Sequence, residues 1–505
     1  MKIIPIFIPH AGCPYRCIYC DQHKISGAAK IPSEKDIKSV IDRNLKTIPK
    51  HERVELAFFG GTFTLLPEAL QKKYLETVSP YVKNKKIAGI RMSTHPEAVT
   101  EKSMKLFKKM GGCLVELGVQ SLDEEVLKKC NRMVDFNIIK TACRIIKSSG
   151  LDLGVQVMLG LPGDTLSKSI DTAKKLIELR PKTARIYPAI VIRGTKLAGL
   201  FRKGIYKPLS MEQAVHWSAN VCDVFEKSGV KVIRIGLHPS KDLNSKGVVL
   251  AGPYHPRFGQ MARLAQAWGK PIAVIDPGMP EKAKLKLKQM GYYVLEVPLH
   301  PKLARPVNGH PDMMMFFYGK KVIYEPSLEK IAGLLRDNGY ECIKGKDIKS
   351  FAYPADIIYD ACSLGKTIIR YNGKIEKHIE NLKAKFIKVK QGYAKCSIVP
   401  VDDKSIITSD KSIKDIWGKS ALLVKPGHIK LPGYKTGFIG GASGVHKDRV
   451  FFIGSLKNHP DGLAIREFIK NRGKKIVELY SGLLYDAGTI FFFDTLVNLS
   501  GYPSG

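Results

Sequence analysis

The sequence predicts an α/β chain: a partial (β/α) TIM-type barrel followed by a second α/β domain. Three observations carry that prediction. At 505 residues the chain is too long for one ordinary domain. Its first half alternates apolar, β-rich runs with amphipathic helical stretches, and strands separated by helices pair in parallel through crossovers. Across residues 252–277 the character changes, and a looser unit of helix, break and strand then recurs to the end. The predicted domains are therefore residues 1–265 and 270–505.

In chain order, the first half offers strands at 2–8, 54–59, 87–93, 114–119, 153–159, 184–192 and 230–235. Between them, residues 101–110 set Met104, Leu106, Phe107 and Met110 at helical spacing, and Gly111-Gly112 stops the helix. Residues 135–149 and 167–179 read the same way. Six or seven such units in this length fit a barrel or partial barrel better than a doubly wound sheet. In the second half the breaks fall at Gly291, Gly339, about Lys385, Gly418 and Gly473. The strands after them are predicted at 292–297, 340–343, 386–389, 420–424 and 475–479. Five such units suggest five pseudo-repeats; an ordinary α/β domain without symmetry gives the same pattern.

Composition narrows the classes. With 44% hydrophobic and 25% charged residues the chain is neither disordered nor fibrous. Ten cysteines are too few for a disulfide scaffold, and no run approaches the roughly 20 apolar residues of a membrane span. The apolar start, Met1 to Ile8, is broken by Pro5 and is too short for a signal peptide. A cytoplasmic protein with no membrane partner is expected. Its net charge is +36, spread as +21 over residues 1–268 and +15 over the remainder. That excess suits a nucleic-acid substrate and equally suits a lysine-rich solvated surface.

Three of the ten cysteines are close together: Gly12-Cys13-Pro14-Tyr15-Arg16-Cys17-Ile18-Tyr19-Cys20, directly after the first predicted strand. Spacings of four and three let one loop wrap three thiolates around a metal centre, and soft sulfur ligands select zinc or an iron–sulfur cluster. Zinc needs a fourth ligand, for which His10 or His23 is available. A [4Fe–4S] cluster on three thiolates keeps one iron open to a small molecule.

Cys-x3-Cys-x2-Cys with an aromatic before its last cysteine, at the end of a barrel's first strand, resembles the radical SAM superfamily. The resemblance implies a [4Fe–4S] cluster on Cys13, Cys17 and Cys20 whose open iron chelates S-adenosylmethionine. It also implies reductive cleavage of that cofactor to a 5′-deoxyadenosyl radical, which takes hydrogen from a substrate. The motif Phe58-Phe59-Gly60-Gly61-Thr62 corresponds to the family's Gly-Gly stretch that holds the methionyl amino group. Ser93 stands in the ribose-contacting segment, where several relatives carry a carboxylate. The fourth-strand motif Glu116-Leu117-Gly118-Val119-Gln120-Ser121 resembles the Elongator catalytic-subunit and coproporphyrinogen-oxidase-like branches, of which the Elongator-like one is the closer likeness, and this implies that Gln120 is a cofactor contact. The fifth-strand motif from Gln156 to Asp164 contains Gly160-Leu161-Pro162-Gly163 and matches the same branch, with Gln156 replacing an acid. Gly60, Gly61, Thr62, Ser93, Gln120 and Gln156 are thus the implied cofactor-binding residues. That family's acetyltransferase domain has no recognisable counterpart after the barrel, so acetyl transfer is not carried over.

Other polar residues have structural and functional readings side by side. Tyr187 and Arg193 near the sixth strand can reach a substrate or sit on the surface, Arg185 within that strand can point inward toward a carboxylate or phosphate, and His255 can face the cofactor pocket but fits a Pro-flanked turn better. In the second half, the five units and the run Gly437-Phe438-Ile439-Gly440-Gly441-Ala442-Ser443-Gly444 weakly resemble the guanidino-group-modifying (pentein) fold. Enzymes of that fold use a cysteine near the C-terminus, whereas the last cysteine here is Cys396, in a predicted strand. His310, Asp312, Asp402, Asp403, Asp410, His446, His459 and Asp461 are candidates for a polar pocket. The functional expectation is a radical SAM enzyme acting on an unknown substrate, with tRNA as a candidate and a flavodoxin or ferredoxin as electron donor. The alternative is a guanidine-modifying hydrolase or binding protein centred on the C-terminal domain, with the barrel cysteines structural.

Overall fold

The structure, a computed structural model, describes residues 2–28, 30–49 and 52–494. The chain divides into two compact units, Met1–Gln266 and Ala267–Gly505. In the first unit seven strands form one sheet in sequence order: β1 (Lys2–Phe7), β2 (Val54–Phe59), β3 (Ile90–Thr94), β4 (Gly112–Gln120), β5 (Asp152–Leu159), β6 (Thr183–Pro188) and β7 (Lys231–Ile235). Every pair is parallel. Parallel strands that follow one another along a sheet need crossovers of one hand, which puts all helices on one face. The helices are α1 (Glu34–Thr47), α2 (Glu68–Lys83), α3 (Glu101–Lys109), α4 (Phe136–Ser148), α5 (Leu166–Glu178) and α6 (Met211–Lys227). The uncovered face curls on itself, and the result is a partial barrel.

The strand sequences carry both faces. Ile4, Leu56, Phe58, Ile90, Met92, Val115, Leu117, Val155, Val157, Ala184 and Ile186 are buried, and all but Ile4 pack in one continuous core with the helices. The intervening residues on the lumen side include the polar Glu55, Arg91, Ser93, Glu116, Gln156 and Arg185 beside apolar ones such as Ile3, Phe7, Phe59 and Met158. This is the period-two alternation of a strand, with a mixed lumen in place of an apolar one. The α4 helix is bounded as its sequence requires, with Asp135 accepting from Asn137 N at the N-terminus and Ile139, Ala142, Cys143 and Ile146 buried on one face. The apolar run 184–192, expected as one strand, is split. Strand β6 ends at Pro188, and Val191–Ile192 pairs antiparallel with Val249–Ala251 outside the main sheet.

The second unit repeats one motif five times: an antiparallel strand pair, a helix, and a third strand parallel to the second. Four repeats are continuous in sequence. They are β10 (Met315–Tyr318), β11 (Lys321–Tyr324), β12 (Glu341–Lys344); β13 (Ala361–Leu364), β14 (Thr367–Tyr371), β15 (Lys385–Val389); β16 (Ile398–Pro400), β17 (Ile406–Thr408), β18 (Ala421–Leu423); and β19 (Ser443–His446), β20 (Arg449–Phe452), β21 (Lys475–Glu478). The fifth is composite: β8 (Ile272–Ile275) pairs in parallel with β9 (Tyr293–Glu296) and antiparallel with β22 (Phe491–Phe493). The first and last described strands of the unit thus share one sheet. The third strand of each repeat lies within two residues of its expected bounds.

Two expectations are corrected here. Cys396 does not lie in a strand but in a short helical segment, Ala394–Ser397, before β16. The eight-residue polar pocket also does not assemble, because most members serve their own loops. Asp402 accepts from Lys404 N and Ser405 N, Asp410 caps the helix Lys411–Trp417, and Asp461 accepts from Lys425 N. His446 binds Tyr292 and Asp494, and His459 packs on His428. Only His310 and Asp312 are buried together.

Closure through β22 predicts a measurable dependence. Phe493 is buried and lies edge-on to Tyr340 with ring centroids 5.1 Å apart. Phe493→Ala should destabilise the second unit by about 3–5 kcal/mol, read as a lower urea midpoint.

Candidate cofactor cavity of the first unit

The C-terminal ends of β1–β6 open into one cavity of about 440 Å³. Its wall includes Cys13, Cys17, Cys20, Gly60, Gly61, Thr62, Ser93, Gln120 and Gln156. Sequence positions up to 143 apart converge there because each follows or ends a strand of the same parallel sheet.

Local chemistry shapes the cysteine loop. After β1 the chain turns at His10 and Gly12, both with positive φ (54° and 71°). A Cβ at Gly12 would lie 2.3 Å from the Thr62 carbonyl oxygen, and one at Gly61 would lie 2.4 Å from the Ala11 carbonyl oxygen. The two glycines let the loops after β1 and β2 touch backbone to backbone, joined by Thr62 N donating to Ala11 O at 2.8 Å. Each cysteine sulfur then has its own donor. Thr62 Oγ1 lies 3.8 Å from Cys13 Sγ, Arg132 Nη1 3.5 Å from Cys17 Sγ, and Gln22 Nε2 3.3 Å from Cys20 Sγ.

These contacts bear on which metal centre fits. His10, a candidate fourth ligand for zinc, uses Nε2 to accept from Gln22 N at 2.9 Å. His23 Nδ1 lies 3.0 Å from the Ala28 carbonyl oxygen. Among the described residues, the three sulfurs do not form a set of donors within 4.8 Å of one another. Thiolates sharing one zinc at about 2.3 Å would stand closer than that. Wider spacing with a separate hydrogen bond to each sulfur suits a multi-iron cluster, whose thiolates bind different irons. Burial raises the Cys13 thiol and pushes Cys20 up to about 12, so a cationic centre is needed to hold them as thiolates.

Opposite the cysteines, β4 is bulged. Its register with β5 slips between Gly118 and Gln120, and Gln120 has φ 73°. The bulge turns Gln120 into the cavity, where Gln156 Nε2 lies 3.4 Å from Gln120 Oε1. Below them Glu116 meets two buried guanidinium groups. Arg91 Nη2 stands 2.9 Å from Glu116 Oε1 and Arg185 Nη2 3.1 Å from the same oxygen. Burial opposes the charge on Arg185, but Tyr187 and Glu116 outweigh it and keep the guanidinium protonated. Arg185 and Tyr187 line the cavity. Arg193 pairs through its backbone with Val248, and His255 accepts from Arg257 N within its turn.

Sequence reasoning missed Arg132. It follows Asn131, whose φ of 54° ends the helix Glu124–Lys129, and its own N–H closes onto Leu127 O at 3.0 Å. An Asn past a helix end is the signal for that turn, but nothing local aims the arginine at Cys17. His95, in the same segment as Ser93, also lines the cavity. It is 3% exposed, and burial followed by Arg132 pulls its pKa down to about 3.

Residues 7–176 match the family model described as Radical SAM superfamily, and residues 181–268 match the Radical_SAM C-terminal domain. The first unit is a radical SAM domain. Its superfamily's cofactors are a [4Fe–4S] cluster and S-adenosylmethionine. Residues 274–491 match a family of unknown function, DUF6873. An uncharacterized protein of Methanocaldococcus jannaschii is 29% identical over 225 residues, covering 44% of this chain and 65% of that protein. The tRNA uridine(34) acetyltransferase of Methanocaldococcus infernus is 25% identical over 255 residues, 43% of this chain and 48% of that protein. Human Elongator complex protein 3 is 27% identical over 190 residues, 34% and 35% of the two chains. The chain therefore spans less than two thirds of the length of these relatives. The solved structure of Methanocaldococcus infernus Elp3 aligns with a TM-score of 0.42 at 22% identity, covering 52% of this chain and 61% of that one.

Two outcomes follow for the radical SAM domain. Glu116→Gln leaves the buried Arg185 without its carboxylate and Arg91 with Glu55 alone, and should cost about 3–5 kcal/mol in chemical denaturation. His95 is held neutral in the fold, so its contribution is complete above pH 6.5 and is lost as the pH falls toward 3. Comparison of urea midpoints at pH 7 and pH 5 should show His95→Asn losing about 2 kcal/mol less than the parent.

Proposed function

We propose that the radical SAM domain is an enzyme that cleaves S-adenosylmethionine reductively and abstracts hydrogen from an RNA substrate. The observation that carries this reading is the convergence of three separately hydrogen-bonded cysteine sulfurs and the Gly60-Gly61-Thr62 turn on one cavity. Cys13, Cys17 and Cys20 would hold the cluster, with Arg132 offsetting thiolate charge. Gly60, Gly61 and Thr62 would receive the methionyl group, Ser93 the ribose, and Gln120 and Gln156 the remaining polar edge of the cofactor. When bound, the cluster supplies one electron to S-adenosylmethionine and a 5′-deoxyadenosyl radical results. This chain's residues would bind and orient the cofactor above the buried Glu116 and Arg91.

RNA as the substrate class is supported by the +36 charge and by the names of the relatives, which act on tRNA uridine or belong to Elongator. Among those possibilities we favour tRNA, with a flavodoxin or ferredoxin as the reductant. Ten unbridged cysteines suit a reducing, cytoplasmic setting, and no helix among the described residues is long and apolar enough to cross a membrane. The five repeats of the second unit support reading it as a pentein-like scaffold. The similarity of the first unit favours barrel-centred chemistry over a guanidine-modifying hydrolase.

Anaerobic protein carrying iron and sulfide should form 5′-deoxyadenosine from S-adenosylmethionine only with a reductant, and formation should increase with tRNA present. Cys17→Ala should abolish product, whereas Arg132→Gln should lower the rate about tenfold or more while leaving a cluster absorption band. Product from Cys17→Ala, or none from fully loaded protein with tRNA present, would overturn the proposal.

A further inference from the structure

The second unit contains a buried set of metal-ligating side chains to which neither its family model nor the chemistry above gives a role. His310, Asp312 and Cys396 each bring one donor atom within 4.8 Å of the other two. The segments carrying Asp312, Asp360 and Cys396 lead into β10, β13 and β16, the first strands of three successive repeats. Five-fold repetition thus gathers residues far apart in sequence at one point. All are sealed from solvent: Asp312 and Asp360 are 0% exposed, His310 1% and Cys396 3%.

Their hydrogen bonding is incomplete. Cys396 Sγ stands 3.1 Å from Asp312 Oδ2 and 3.2 Å from Asp360 Oδ2, so one S–H proton faces two carboxylates. Asp312 Oδ1 and His310 Nδ1 are buried with no hydrogen-bond partner. Leaving such atoms unmatched in a core is costly. Lys395 is the nearby cation, but its ammonium donates to Thr489 Oγ1 at 2.6 Å and to the Ile398 carbonyl oxygen at 3.4 Å. The other nitrogen of His310, Nε2, lies 3.7 Å from Asp276 Oδ2, the carboxylate–histidine arrangement that commonly orients a ligating imidazole. Asp486 stands 3.9 Å from His310 Nδ1 and is held by Phe438 N and Gly488 N.

The glycine-rich stretch makes room for this set. A Cβ at Gly441 would lie 2.0 Å from Asp486 Oδ1, and one at Gly488 would lie 2.2 Å from His310 Cβ. Space at these positions is kept for acidic and imidazole side chains.

We propose that His310, Asp312, Cys396 and Asp360 bind one divalent cation of the zinc class at the centre of the second unit. A mixed nitrogen, oxygen and sulfur donor set suits zinc in tetrahedral coordination. Tetrahedral bonds of about 2.0–2.3 Å put neighbouring donors roughly 3.3–3.8 Å apart; Cys396 already stands 3.1 and 3.2 Å from Asp312 and Asp360, His310 lies within 4.8 Å of Asp312 and Cys396, and Asp360 has to shift toward the ion to join that set. The cation takes the lone pairs that lack partners, and the Cys396 proton leaves to solvent on binding. Because the segments come from three repeats, the ion ties the repeats together as a structural centre. Burial of every ligand suits an ion better than a larger substrate.

The test uses the full chain with Cys13, Cys17 and Cys20 all changed to Ala, so that the barrel cysteines hold no metal. After chelation and dialysis, Co(II) is added as the probe and zinc content is measured separately by mass spectrometry. The expected result is about one equivalent of either metal, with a thiolate-to-cobalt charge-transfer band. Adding Cys396→Ser should remove the band, adding Asp312→Asn should weaken binding about 10- to 100-fold, and adding Cys342→Ser should change neither. Circular dichroism of each variant confirms that it is folded. Absence of metal in the folded triple variant would overturn the proposal, as would a charge-transfer band that survives Cys396→Ser.

Discussion

Everything in the first unit depends on seven parallel strands lying in sequence order. Crossovers of one hand put all the helices on one face, so the opposite face must curl on itself. All seven C-terminal ends then point the same way, and every βα loop opens at one rim. Cys13, Gly61, Ser93, Gln120 and Gln156 meet around one cavity for this reason. None of them needs a long-range instruction of its own, because each only has to stand at or just beyond a strand end.

The same geometry sets the electrostatics. A barrel lumen filled with branched apolar residues would be a closed core. Here Glu55, Arg91, Glu116 and Arg185 occupy it, and Glu116 accepts from Arg185 and forms an ion pair with Arg91 on a second strand. Such a network is poor at maximising stability but rigid once fully paired. It forms a fixed floor beneath the cavity, on which Gln120 and Gln156 stand. Rigidity matters more than stability at this depth, since a cofactor's reactive atom must be held within a fraction of an ångström.

The parts of this arrangement that local sequence encodes were legible. Apolar residues at every second position marked the strands, and the Cys-x3-Cys-x2-Cys loop and Gly60-Gly61 marked two strand ends. Lumen residues were visible only as interruptions. Arg185 could be read as pointing inward toward a carboxylate, but its partner could not be named, because Glu116 lies 69 positions away. Arg132 was not legible at all: the turn at Asn131 can be foreseen, but its approach to Cys17, 115 residues away, is a product of the fold. In the second half the breaks and third strands were legible from their glycines and apolar runs. The polar centre was not, since Asp402, Asp410 and Asp461 look like site residues in sequence and are consumed by caps and turns.

The second unit solves a different version of the same problem. The sheets of its five repeats have only three strands each, and each repeat alone has too little core to stand. Five repeats bury one another, and β22 returns the chain to pair with β8 so that the first repeat lacks no strand. Circular repetition has a geometric consequence that a linear stack does not: equivalent segments from every repeat point at one centre. Apolar side chains there would simply extend the core. Instead that centre holds Asp312, Asp360, Asp486, Cys396 and His310, fully or nearly fully buried. Uncompensated carboxylates at such a depth oppose folding by several kcal/mol each. Burial raises the Asp312 and Asp360 carboxyls to about 7, glycines at 441 and 488 keep space for the set, and Lys395 spends its hydrogen bonds on Thr489 and Ile398, so a further compensating charge suits this centre. A cation shared by three repeats would turn the least favourable part of the unit into the part that joins it.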